Sequence, residues 1–562
     1  MLTDVPSFYY LQNFESALAW LAQRYDDLFD SGERAFLREF ARLPARSRAL
    51  LVRMLMRKGP FFRASRLSYE EIGCPLQAAA PLATLGWVDP DPLLTIDELF
   101  ALSTRAELQR SFPDVVGRKI ARKPEWLDAL RVTHAQARRY ADWDSYTADR
   151  VIHVTIGPLS DRFRLMFFGN LHQDWSEFVL ADLGVFNYEA VSLSPSARAF
   201  QQRTDVDAWL ALHACREALD ALADDDSVEP IFAAATALAI DKAWLETRRA
   251  KLLFRIGYRA EQKQDWEAAL RVYACCAWPG ARYRRMRVLE RCGRFDEGFA
   301  LASQAANEPE NEAESQRIGR ILPRLRRRLG LPVPRVATAP PVARDLLMLP
   351  RPTGPFAVEY AVRDHLDAPH APVHYVENTL INALFGLLCW EPVFAPIAGA
   401  FFHPFQRGPA DLHAPDFRAR RADQFIRCLA QLDTGAYRET IAAHFERKAG
   451  LQSPFVAWGA LTPALIRLAL ACLPAAHLKL WFTRLLEDIR ENRSGLPDLI
   501  RFWPDEHRYE LIEVKGPGDR LQDNQVRWLQ YCARHGLPVR VVDVRWVDAE
   551  LNEATGATGA TA

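Results

Sequence analysis

Seven prolines fall within the 26 residues from Gly330 to Pro355. Each proline ring fixes φ and removes a backbone donor, so a stretch this dense excludes helix and central strand. The chain must therefore fold in parts on either side of it. Before the prolines helical spacing dominates, as in residues 33–56 and 205–222, where apolar residues recur three and four apart. After them the pattern is mixed, and it ends in a stretch with strand, turn and helix signals.

With 562 residues, 49% hydrophobic and 25% charged, the chain has the profile of folded protein. At roughly 100 to 200 residues per domain it holds about three or four. The expected division is a helical domain over 1–130, a helical-hairpin domain over 131–330, a proline-rich linker over 331–355, an α/β domain over 356–548 and a frayed polar tail over 549–562. The expected class is thus multidomain and mainly α, with a small mixed sheet near the C-terminus. In the middle region Trp266, Ala269 and Leu270 are echoed by Phe295, Gly298 and Phe299. That echo suggests paired helices resembling a short tetratricopeptide-like solenoid.

Seventy-one basic residues balance 71 acidic ones. This excludes a protein that coats nucleic acid by bulk charge, but it leaves room for local basic faces. One such face is residues 42–66, with eight basic residues and no acid, interleaved with Leu, Met and Phe. It is either a solvated helix face or a surface that tracks phosphates, and Arg53, Arg57, Lys58, Arg63 and Arg66 are its candidate DNA contacts. The cluster Arg324, Arg326, Arg327 and Arg328 is open to the same two readings. Nine scattered cysteines with no CxxC read as reduced thiols, and a zinc site is not expected. The acidic N-terminus lacks the basic region of a signal peptide, and the longest uncharged stretch, 449–466, is interrupted by Pro454 and Pro463. A soluble, cytoplasmic protein with no membrane association is the expectation, and a monomer or weak dimer the expected state.

The chemistry is concentrated in residues 494–546. Residues 499–503 and 509–515 are apolar and aromatic and flank a polar loop, the pattern of a β-hairpin. A Gly516-Pro517-Gly518 break follows, then a helix expected to be capped by Asp519 with Gln522, then a third strand over 539–544, parallel to the second across that helix. Period two sets Glu513 and Lys515 on one face, about 6 to 7 Å apart along the strand. Asp498 sits just before the partner strand, where a hairpin brings it near Glu513. Two converging carboxylates and the Val514 carbonyl suit a hard divalent cation, and Lys515 lies where it orients a water or holds a phosphate oxygen. A lone ExK is usually a solvent-facing ion pair. Here the upstream Pro497-Asp498, the hairpin and the helix bearing Gln525 favour a phosphodiester-cleaving site.

A further acid is available in residues 374–390, where helical spacing places Glu377 on a stripe with Leu380, Ile381, Leu384 and Leu388. Two readings stand side by side. Glu377 is a metal ligand at the edge of a buried stripe, or it is an acid in a first helical turn that the macrodipole favours.

These motifs resemble the PD-(D/E)xK superfamily, and GLPDL followed by EVKGPGDRLQDNQVRWL resembles its VRR-NUC module. With HYVENTLINALFGLLCWE and the N-terminal RMLMRKGPFFRASRLSYEEI, the chain is similar to the Fanconi-associated nuclease family in a bacterial-type form. That resemblance implies a SAP-containing or winged-helix-like DNA-binding region over 1–130 and a VRR-NUC domain over 356–548. It implies a 5′ flap endonuclease and phosphodiesterase I-type 5′ to 3′ exonuclease that serves interstrand crosslink repair. Asp498, Glu513 and Lys515 carry over as catalytic residues, Glu377 as an added ligand, and one or two Mg²⁺ or Mn²⁺ ions as cofactor. The partner is DNA: a 5′ flap, branched or crosslinked duplex. Gln525 matches the helix pattern and either positions DNA or buttresses the site. The ubiquitin-binding zinc finger of animal members has no counterpart in the Cys and His of this sequence. A non-catalytic branched-DNA scaffold and a junction resolvase of the same superfamily are the competing readings. No Gly-Lys dipeptide, HExxH or GxSxG occurs, so P-loop, zincin and hydrolase-elbow chemistry is unsupported.

Overall fold

The structure is a computed structural model that describes residues 8–113, 122–144, 147–176, 186–334, 340–352, 354 and 356–547. The expected tail over 549–562 lies outside these residues. Two compact units emerge, Met1–Asn187 with Arg198–Val206, and Tyr188–Ala197 with Asp207–Ala562.

The first unit opens with helices Tyr9–Tyr25, Ser31–Arg42 and Ala45–Leu55. The last two are one apolar stripe in sequence, broken where Leu43 precedes Pro44 in extended geometry. Asp30 and Glu33 form a reciprocal capping box that starts the second helix. A three-stranded antiparallel sheet follows, with β1 (Phe61–Arg63) and β2 (Val88–Asp89) on either side of β5 (Val151–Val154). Two short strands, β3 (Leu93–Leu94) and β4 (Arg138–Arg139), pair separately. Because β5 pairs with both early strands, the expected boundary at residue 130 is corrected: the described residues from 131 to 176 belong to the first unit, β5 being joined to it by long-range pairing that local composition does not reveal.

The second unit begins with helical hairpins. Helices Ala243–Gln262 and Trp266–Ala274 pair, as do Ala281–Arg291 and Phe295–Asn307, and Glu312–Arg328 closes the series. The echoed residues mark corresponding helix starts, as expected.

The rest centres on a five-stranded mixed sheet ordered β6-β10-β9-β8-β7, from β6 (Ala343–Pro350), β7 (Val373–Tyr375), β8 (Leu499–Trp503), β9 (Arg508–Lys515) and β10 (Val539–Val547). The β8–β9 hairpin and the parallel β9–β10 pair match expectation. The linker does not. Residues 343–350 form an edge strand parallel to β10, fastened by the ion pairs Arg344–Asp543 and Arg540–Asp345. An edge tolerates the flanking prolines because its outer side needs no ladder donors.

Each face of the sheet is covered. One carries a large core with Leu380, Phe385, Trp481 and Trp528, and the other a smaller core with Val362, Ile512, Val514 and Val542. Among the described residues no single helix is long and apolar enough to cross a membrane.

Candidate active site

The hairpin register follows from its side chains. Phe502 faces Tyr509, Arg501 faces Glu510, and the Arg508 guanidinium lies 3.6 Å from the Trp503 ring centroid. Leu499 faces Ile512, so the residue before Leu499 reaches the residue after Ile512: Asp498 and Glu513 are neighbours across the hairpin. The Val514 amide donates to Asp498 Oδ2 at 2.8 Å and fixes that carboxylate. Gly495 permits the approach to Asp498. Its φ is +88°, and a Cβ there would lie 2.8 Å from the Asn524 backbone.

Strand β7 then delivers the third acid. Tyr375 pairs with Leu499, and the Val376 amide donates to the Asp498 carbonyl at 2.8 Å. Glu377 follows at once, in the turn before a helix that begins only at Leu380. The expectation of Glu377 on a helical stripe is therefore corrected: it stands on a strand-to-helix turn, kept out of the helix by Asn378, whose φ is +51°. The Tyr375 hydroxyl donates to Glu377 Oε2 at 2.5 Å and Asn378 Nδ2 to Oε1 at 3.1 Å.

Glu513 has no exposed surface and Asp498 is 4% exposed. Burial raises both carboxyls, to about 8 and about 6 respectively. Asp498 raises Glu513 further, the charge of Glu377 raises both, and that of Glu359 adds to the effect on Asp498. Lys515 Nζ lies 2.7 Å from Glu513 Oε1 and is its one cationic partner, while Oε2 accepts no hydrogen bond from a described residue.

A buried carboxylate answered by a single lysine and set beside two more acids is an electrostatic deficit that a divalent cation would remove. The described acids surround this place but do not yet converge on one point as a ready-made ligand set. The donors nevertheless fit a hard ion: all are oxygens, and the Val514 carbonyl is the oxygen candidate that lies between the side chains of Glu513 and Lys515. Asp498, Glu513, Lys515, Val514 and Glu377 are thus brought together.

The other candidates are not. Gln525 is buried, and its Oε1 accepts from the Gln522 amide at 2.9 Å, capping helix Asp523–Arg534. This corrects the expected cap, because Asp519 instead accepts from the Gly516 amide within the turn. In the first unit Arg63 is buried between Asp149 and Glu107, at 2.8 and 2.7 Å, so its guanidinium is committed internally. Arg53 is paired with Glu71 at 3.0 Å and lies over Tyr10, whereas Arg57, Lys58 and Arg66 are exposed.

Sequence reasoning missed three features. Glu359, on helix Val358–Leu366, adds negative charge at the site. Tyr375 shares the period-two face of Glu377, a signal that was available. The third is a cavity of about 320 Å³ lined by Leu212, Arg216, Arg248, Lys251, Leu252 and Arg255. Burial and then the charge of Arg216 push Arg248 down to about 10. Asp220 pairs with Arg216 and Arg255, while Arg248 lies over Trp209, 3.7 Å from its ring centroid.

This geometry coincides with what the chain is similar to. Residues 433–546 match the VRR-NUC domain, 8–89 the FAN1 HTH domain and 93–143 the Fanconi anemia-associated nuclease SAP domain. The sequence is 52% identical to the Fanconi-associated nuclease 1 homolog of Pseudomonas aeruginosa, over 96% of each chain. The chain belongs to the Fanconi-associated nuclease family. A homolog from Arabidopsis thaliana is 26% identical over 95% of this chain and 67% of its own. A crystal structure of paFAN1 bound to 2nt 5′ flap DNA with a gap superposes with a TM-score of 0.92, at 52% identity, over 97% of this chain and 99% of that one. A second, bound to 1nt 5′ flap DNA with a gap, gives 0.91. Family membership makes the protein a hydrolytic, metal-dependent, DNA-binding nuclease. The sheet that carries its site reaches back to β6 and β7, well before residue 433.

Proposed function

We propose that this nuclease cuts DNA at 5′ flaps, by endonucleolytic incision and by 5′ to 3′ exonucleolytic steps, and that it serves unhooking of interstrand crosslinks. The observation that carries the reading is the placement of Glu377, Asp498, Glu513 and Lys515 at one end of β7, β8 and β9, in a chain that shares fold and half its residues with a protein crystallised on 5′ flap DNA.

Asp498, Glu513, Glu377 and the Val514 carbonyl would hold one or two Mg²⁺ or Mn²⁺ ions. Bound there, such an ion supplies Lewis acidity and a water acidified towards neutral pH. Lys515 contributes a cation next to Glu513, placed to orient the attacking water or to meet a phosphate oxygen as charge develops on it. Burial of Asp498 and Glu513 excludes bulk water, which strengthens each of these interactions.

The cavity of Arg248 and Lys251 takes DNA backbone phosphates, because four cations line it and Asp220 answers only Arg216 and Arg255. Exposed Arg57, Lys58 and Arg66 hold duplex phosphates, and the scaffold and resolvase readings gain no specific observation.

The test uses 5′-labelled 5′ flap, 3′ flap, Holliday junction and RNA substrates with purified protein, with and without EDTA. Incision of the 5′ flap that EDTA abolishes is expected. Equal cutting of all four substrates, or cutting in EDTA, would refute the reading.

A further inference from the structure

Glu377 differs from the other two acids in how it is held. Asp498 is fixed by a backbone amide of the strand beside it, and Glu513 is met only by the Lys515 ammonium, at 2.7 Å on one oxygen. Glu377 is gripped by two side chains, one on each oxygen: Tyr375 Oη at 2.5 Å from Oε2 and Asn378 Nδ2 at 3.1 Å from Oε1. A carboxylate oxygen has two lone pairs. Each donor occupies one, leaving the other on each oxygen free for a cation.

The grip is itself anchored. Asn378 adopts φ +51°, a left-handed conformation that Asn tolerates better than other side chains. Its Oδ1 accepts from the Leu496 amide at 3.1 Å and its carbonyl accepts from Asn382 Nδ2 at 2.8 Å. Asn382 also donates to the Arg493 carbonyl at 2.8 Å. The turn carrying Glu377 is thereby tied to segment 493–496, which leads straight into Asp498. Tyr375 is fixed by its pairing with Leu499, the residue after Asp498.

We propose that Tyr375 and Asn378 are positioning residues that pre-set the Glu377 carboxylate against Asp498 for a divalent ion. The inference rests on the reading of Glu377 as an ion ligand. Without these donors Glu377 samples other rotamers, and the ion must order it on binding. Outer-shell partners of metal ligands commonly account for about 10- to 100-fold in affinity or activity.

The test compares full-length wild type with Tyr375→Phe, Asn378→Gly and Glu377→Gln, each stripped with chelator, by calorimetric titration of Mn²⁺ without DNA. The Mn²⁺ dependence of 5′ flap cleavage is measured in parallel. Tyr375→Phe is expected to weaken Mn²⁺ binding about tenfold and to raise the Mn²⁺ needed for half-maximal cleavage by the same factor, with kcat at saturating Mn²⁺ recovering to within about threefold. Asn378→Gly keeps the left-handed turn, removes both the donor to Glu377 and the acceptor of the Leu496 amide, and should also weaken Mn²⁺ binding; it carries the test should Tyr375→Phe fail to fold. Wild-type Mn²⁺ affinity in Tyr375→Phe, against a clear loss in Glu377→Gln, overturns the positioning role alone. Wild-type affinity in Glu377→Gln overturns the ligand reading, and the positioning role with it.

Discussion

Glu33 and Glu513 are both glutamates with no exposed surface, one in each unit, and the protein treats them in opposite ways. Glu33 receives Arg162 Nε at 2.6 Å on one oxygen, and Arg203 Nη1 at 2.6 Å and the Asp30 amide at 2.9 Å on the other. Glu513 is met by Lys515 Nζ at 2.7 Å on one oxygen and by no hydrogen bond from a described residue on the other, and two acids lie beside it. A buried charge that is fully answered is a structural device. One left short of positive charge destabilises the unliganded fold and persists where binding removes the deficit.

The contrast breaks most visibly at Glu513 itself. Glu513→Gln should reduce DNA cleavage by about 10³-fold or more, the scale of losing a preorganised electrostatic group. It should leave stability in EDTA unchanged near pH 4, where the wild-type carboxyl is protonated in both states, and raise it above wild type at pH 9, where the wild-type carboxylate is forced to ionise. Cleavage rates on a 5′ flap and chemical denaturation at both pH values check this, and a large loss of stability at pH 9 would place Glu513 with Glu33. The reciprocal change, Glu33→Gln, breaks a fully answered charge and should cost about 3 kcal/mol or more of stability. Denaturant unfolding should show that loss, with kcat per folded molecule preserved.

A third, smaller effect is the pH dependence of the unliganded protein. Burial raises Asp498 and Glu513 to about 6 and about 8, so between the ordinary carboxyl range and pH 8 the folded state holds more protons than the unfolded chain. Stability contributed by these groups is present below about pH 4 and is lost as pH rises through the raised values. In EDTA, denaturation midpoints corrected with the double variant Asp498→Asn/Glu513→Gln should fall from pH 5 to pH 8.5. Added Mn²⁺ should reverse the trend, because ion binding displaces those protons. A flat difference between wild type and the double variant would deny the raised values.

How much of this was legible in the sequence depends on separation along the chain. Asp498, Glu513 and Lys515 lie within one hairpin, where the period of two and a polar loop suffice to bring them together. Glu377 was recognised but misplaced, because the left-handed Asn378 delays the helix and nothing in the apolar spacing shows it. The linker reading failed because proline density hid a strand whose partner, β10, lies about 200 residues on. Arg63 read as a DNA contact because its acids, Glu107 and Asp149, are 44 and 86 residues away. The Arg248–Lys251 cavity depends on helix packing, which a zero net charge conceals.

The smallest effect tests whether the basic segment separates into answered and unanswered charges as the two glutamates do. Arg53 and Arg63 are paired internally, whereas Arg57, Lys58 and Arg66 are exposed without a carboxylate partner among the described residues. Every DNA phosphate that no longer meets a protein cation should reduce the slope of log affinity against log salt by about 0.9. Charge removal at the three exposed positions, Arg57→Ala, Lys58→Ala and Arg66→Ala together, should weaken duplex binding at low salt and flatten that slope by about two to three units, with thermal stability nearly unchanged. Arg63→Ala should do the reverse, lowering stability while the slope of the folded protein stays at its wild-type value, because a guanidinium buried between Asp149 and Glu107 has its charge answered and out of reach of a phosphate. If Arg63→Ala flattened the slope as well, the ion pairs around it would have to open on DNA, and the division between structural and DNA-facing charge in the first unit would fall.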